Sequence, residues 1–184
     1  MEEIKILFFV IGTFFGIHQS NIIAEKATIT INPEAKTITV LQENLISIIQ
    51  NESDSLKVKS ELENIIQPNY PWSSEFANYS KKEKYFFISE DTKTLNLKLT
   101  LTYTTANDLK AFGINKNNDA KFSMTNFPKA HTKSTDGILG ERYWNFEANK
   151  PFTFTEEPLT DIPTEYEIHK KSVLPFWKTI KRKP

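Results

Sequence analysis

The residues best placed to do chemistry are His131, Asp136, Glu141, Arg142 and Tyr143, the densest polar cluster in the chain. A histidine near a carboxylate can serve as a general base, the carboxylate orienting the imidazole. That constellation would suit a small hydrolase. A solvated loop with a surface ion pair explains the same residues without chemistry. A carboxylate pair could also hydrolyse glycosidic bonds, but the many surface carboxylates offer no basis for selecting two.

Other reactive machinery is missing by composition. The chain has no cysteine, which removes disulfides, thiolate nucleophiles, cysteine zinc sites and iron–sulfur clusters. Five glycines, scattered, cannot form a phosphate-cradling loop. No HExxH, nucleophile-elbow or EF-hand pattern is present. Of the three histidines, His18 falls in a leader-like stretch, leaving His131 and His169, too few for a multi-histidine metal centre. No cofactor is expected.

Two surfaces suggest recognition instead. Trp72 and Trp144 could offer aromatic platforms to a sugar ring or a peptide, or simply plug a core. Between Lys170 and Pro184 there are six basic residues and no acidic one. Val173, Phe176, Trp177 and Ile180 recur at helical spacing there, beside Lys178, Lys181, Arg182 and Lys183. Such a segment either docks its aromatic face on the body or lies on an anionic membrane or a partner. Formal net charge is zero, which argues against a general nucleic-acid binder. The partners in view are a protein, a glycan or an envelope component. Asn51 and Asn78 begin N-x-S/T triplets, weak patterns that matter only in a eukaryotic secretory pathway.

These residues need a scaffold, and the pattern for one is clear. Leu95, Leu97, Leu99, Leu101 and Tyr103 alternate with Thr94, Asn96, Lys98, Thr100 and Thr102, the period of a half-buried strand. Tyr85–Ser89 reads as its antiparallel neighbour through the turn 90–93. Ala27–Asn32 and Thr37–Val40 flank an Asn-Pro turn as a hairpin. Leu45–Ile49 fits either a continued strand or a short helix. Val58, Leu62, Ile65 and Ile66 predict an amphipathic helix from about Ser55 to Gln67, ended by Pro68. Further strands are expected at Ala111–Lys116, Lys121–Asn126, Ile138–Glu147 with a bulge at Gly140, and Phe152–Thr155 closing a hairpin with the strand before it. Fourteen Phe, six Tyr and three Trp supply a sheet-based core.

At the N-terminus, Ile6–Ile17 is nearly unbroken apolar sequence, too short as a helix to span a bilayer core of roughly 30 Å. It has the length of a signal-peptide core, with removal expected after Ala24, although Glu2 and Glu3 and a bulky Ile22 depart from that pattern. A core helix or an uncleaved anchor is the other reading. The organisation expected is a leader over 1–24, one β-rich domain over 25–169, and a basic amphipathic segment over 170–184. The fold expected is mainly β: an antiparallel, sandwich-like or curved sheet with one or two covering helices. The alternative is α+β, with helices on one face of the sheet. The function expected is an exported, periplasmic or secreted, non-enzymatic binding module. A small hydrolase around His131 and a membrane-surface protein using the basic C-terminal segment are the rivals.

Overall fold

The computed structural model describes residues 8–117, 119–126, 131–159 and 162–181. The fold is mainly β, with one large antiparallel sheet, a second smaller one and a few helices. In chain order the elements are β1 (Ile23–Asn32), β2 (Thr37–Ile48), α1 (Glu52–Ile65), β3 (Lys81–Ile88), β4 (Leu95–Thr102), β5 (Ile114–Lys116), β6 (Lys121–Thr125), β7 (Thr132–Lys133), β8 (Ile138–Leu139), β9 (Tyr143–Glu147), β10 (Phe152–Glu156), α2 (Thr164–Glu167), β11 (Lys170–Ser172) and α3 (Leu174–Lys181). The large sheet runs β3-β4-β2-β1-β10-β7, with β11 added beside the end of β2. The small sheet runs β5-β6-β9-β8.

Alternation sets the inward face of the large sheet. Leu95, Leu97, Leu99 and Leu101 of β4 are all fully buried. Leu99 faces Val40, and Leu101 faces Ile38; beyond them Ile29 and Ile31 continue the row into Phe154 and Phe152. The small sheet lays its aromatics on that face. Phe146 stacks on Phe152 at 4.3 Å, and Phe122 meets Phe152 at 5.8 Å. The result is sandwich-like, each sheet covering the apolar side of the other.

The first hairpin forms at the Asn-Pro turn, where Asn32 Oδ1 accepts from Ala35 N–H at 3.0 Å. The ambiguous stretch Leu45–Ile49 is resolved as a continuation of β2 to Ile48. Asn44 takes a positive φ of 50° at the bend, and its N–H is held by Asn96 Oδ1 at 2.9 Å. Helix α1 begins at Asn51, whose side chain accepts from Asp54 N–H, and it buries Val58, Leu62 and Ile65. Its Glu61 is buried as well, accepting from the Asn21 N–H at 2.7 Å and from the Ser20 hydroxyl.

Three expectations change. Ala106–Phe112 is a 3-10 helix, so the strand expected from Ala111 is only β5, from Ile114. Thr105 and Asp108 form a reciprocal capping box, and Gly113 ends the turn at φ 67°. Ile138–Glu147 is two strands, not one with a bulge: Leu139 pairs with Trp144, and Gly140 N–H closes the turn onto Tyr143 C=O at 2.9 Å. Phe152–Thr155 does not pair with β9; β10 crosses to the large sheet between β1 and β7. Alternation defines a strand but carries no information about its partner.

The N-terminal run is part of this core. Ile11–Phe15 is a 3-10 helix, and Val10 bridges Ile23 at the start of β1. Phe8, Ile11, Phe14, Phe15, Ile22 and Ala24 are buried. Phe14 stacks on Phe76 at 5.8 Å, and Phe8 on Phe112 at 5.6 Å. Beneath this strap a polar row crosses the sheet, since Ala27 pairs with Gln42 on one side and Glu156 on the other. Gln42 Nε2 donates to Phe8 C=O at 2.6 Å, and the Phe8 N–H donates to Glu156.

Candidate functional site

The His131 cluster does not assemble as an acid–base site. Asp136 Oδ2 accepts from Thr153 N–H at 2.8 Å, clamping its loop onto β10, and Asp136 N–H is held by Ser134 Oγ. His131 Nδ1 is buried without a hydrogen-bond partner, while its carbonyl accepts from Glu157 N–H at 3.1 Å. Glu141 and Arg142 stand exposed in the β8–β9 turn, and Tyr143 lies on the outer face of β9. Trp144 is buried on the opposite face, its indole N–H donating to Asn126 Oδ1 at 3.3 Å. It packs the small sheet and presents no platform.

The other two tryptophans meet. Trp72 packs tilted against Phe15 at 5.0 Å and edge-on to Phe76 at 6.3 Å, and so plugs the core beneath the strap. Its exposed part lines a cleft of about 710 Å³, together with Trp177 of α3. Helix α3 reaches this position because its apolar side docks: Val173 is buried, and Phe176, Trp177 and Ile180 are partly buried against the core. Ser172 Oγ caps it by accepting from Leu174 N–H at 3.2 Å. Strand β11 anchors the segment beside β2, reinforced by an ion pair between Lys170 and Glu25. Lys178 points to solvent, Lys181 lies 5.9 Å over the Trp177 ring, and Arg182 and Lys183 fall outside the described residues.

Charge in the cleft is one-sided. Lys82, Lys84, Lys98 and Lys181 line it against a single acid, Glu83. Lys84 Nζ is buried with no hydrogen-bond acceptor, lying 5.0 Å from the Phe15 ring centre and 5.8 Å from that of Tyr70. Burial pulls its pKa below the ordinary lysine value. Trp177 Nε1 is the second donor there that is buried without an acceptor. Two unsatisfied donors and a surplus of cations, set among aromatic rings, are groups whose hydrogen-bonding and charge an oxygen anion would satisfy. Sequence patterning found Trp72, Trp177 and Lys181 separately but missed Lys82, Lys84 and Lys98, which read as ordinary strand and turn charges.

Elsewhere, Glu156 is a buried carboxyl whose pKa is raised to about 8 by desolvation, against the opposing pull of the Phe8 N–H. Among the described residues no group of three His, Asp or Glu could hold a metal ion, and no helix is long and apolar enough to cross a membrane. No family model matches the chain, and neither a curated protein nor a solved structure shows significant similarity to it.

Proposed function

We propose that this protein is a non-catalytic binding module whose ligand presents carboxylate or phosphate oxygens to the cleft between β3 and α3. The observation that carries the reading is the pair of buried donors, Lys84 Nζ and Trp177 Nε1, both lining the same cleft and both lacking an acceptor. A buried unpaired donor costs about 1–3 kcal/mol, more for a charged group, and a ligand oxygen recovers that cost. Trp72, Trp177 and Phe86 would pack the apolar part of the ligand. Lys98 and Lys181 add long-range attraction that salt screens.

The test is titration with a panel of anions: pyrophosphate, an oligogalacturonate and a glutamate-rich peptide, followed by calorimetry and tryptophan fluorescence. At least one binds at low ionic strength, weakens with added salt, and loses affinity in Lys84→Gln and Trp177→Phe. If no member of the panel binds more tightly than about 1 mM, the reading is wrong.

An envelope or extracellular setting accords with the leader-like apolar run. Burial of Phe8, Ile11, Phe14 and Phe15 in the core supports instead a segment kept in the folded protein. Cell fractionation with N-terminal sequencing separates the two. A chain beginning at Glu25 outside the cytoplasm supports export with removal of the leader, and a chain retaining this segment supports the strap.

A further inference from the structure

We infer that the ligand of this cleft is an extended acidic peptide segment that adds to β3 as a further strand of the large sheet. The inference rests on the oxyanion reading above and names the form the ligand takes.

The first observation is topological. Strand β3 ends the sheet, and among the described residues only β4 pairs with it. The second is which backbone groups are free. Ser89 N–H donates to Thr94 C=O at 2.9 Å, and Tyr103 N–H to Lys36 C=O at 3.0 Å. Carried along the registers of β3–β4 and β2–β4, these bonds place the odd-numbered residues of β3 in the ladder with β4. The N–H and C=O groups of Lys82, Lys84 and Phe86 therefore face away from the sheet.

The third observation is the shape of the cleft. Five consecutive residues, Lys82 through Phe86, line it. Neighbours on a strand point to opposite faces, so a cleft lined by five in a row runs along the strand's edge and past its backbone. A ligand lying there meets outward-facing amides and carbonyls that pair with no other strand among the described residues, the geometry of strand addition. Charge then selects the occupant. Lys81, Lys82 and Lys84 against the single Glu83 leave this edge net positive, which opposes a second copy of it in the registers that align the lysines and favours a strand of opposite charge. Lys82 and Lys84 share the face of the inward leucines, so an acidic strand sets the carboxylates of one face against them, and its apolar face lies beside Tyr85.

The probe is a capped peptide alternating glutamate and valine, matched to the eight residues of β3. Binding is measured by calorimetry, and amide hydrogen exchange is followed by NMR. The peptide is expected to bind and to protect the amides of Lys82, Lys84 and Phe86. The same peptide N-methylated at alternate amides should bind roughly tenfold or more weakly. Phe86→Pro, which removes an N–H outside the β3–β4 ladder, should weaken binding well beyond Phe86→Leu, which trims the ring that packs the ligand but keeps that N–H. Equal binding of the methylated peptide, or binding of oligogalacturonate without peptide, overturns strand addition and leaves the oxyanion site standing. Failure of every anion to bind overturns both, and self-association of the free protein through this edge also refutes the choice of occupant.

Discussion

Replacing Glu156 with Gln should stabilise the protein at neutral pH and remove a pH dependence that the wild type carries. Glu156 sits 5% exposed in the row Gln42–Ala27–Glu156, beneath the strap. Its Oε2 and the Oε1 of Gln42 are both buried without a hydrogen-bond partner. Two unpaired acceptors in one dry row favour a proton on the carboxyl, because a carboxylic acid can donate where a carboxylate cannot. The folded pKa of about 8 lies above the ordinary 4.5. Between those values the folded chain holds a proton that the unfolded chain has released, so stability falls as pH rises. The contribution is whole below about pH 4.5 and lost above about pH 8. At about 1.4 kcal/mol for each pH unit, the loss is about 5 kcal/mol over the window, of which about 3 has accrued by pH 7. Glutamine keeps a donor and an acceptor with no charge to desolvate. Urea unfolding of both proteins at pH 4.5, 6, 7 and 8.5, followed by tryptophan fluorescence, gives the difference directly. The variant should gain nothing at the acid end and about 3 kcal/mol at pH 7. Parallel curves for the two proteins across the window would refute the buried-proton account.

The strap makes a second prediction: a chain starting at Glu25 loses six buried side chains from the core and should not unfold cooperatively, as judged by calorimetry. Within the full chain, Phe14→Ala should cost about 3–5 kcal/mol in urea unfolding, because Phe14 is fully buried against Phe76 and Phe112. An unchanged midpoint for either would show that the strap does not complete the core. Gly137→Ala should also destabilise, by about 1–3 kcal/mol, since an added Cβ meets the Phe146 ring at 2.5 Å where that ring stacks on Phe152.

Much of the local structure was legible in the sequence for a simple reason. Strict alternation over Leu95–Tyr103 and helical spacing over Val58–Ile65 each bury one side, and neither pattern tolerates the other conformation. The α3 face was legible in the same way, from Val173 to Ile180. What was not legible depends on partners distant in sequence. Phe152 and Phe154 alternate equally well beside β9 or beside β1, and only packing chose β1. Ile6–Ile17 is apolar whether it enters a translocation channel or a core, so its pattern alone could not distinguish a leader from a strap.

The candidate site divides along the same line. His131 and Asp136 are near in sequence, yet the fold turns the Asp136 carboxylate to Thr153. Lys84 and Trp177 lie far apart in the chain and line the same cleft. Sequence determined the periods, and through them which side of each strand and helix avoids water. Tertiary structure decided which strands pair, which carboxyl is desolvated enough to keep its proton, and which strand ends the large sheet. Those outcomes are settled by contacts between distant segments, where burial and the surrounding charges act together.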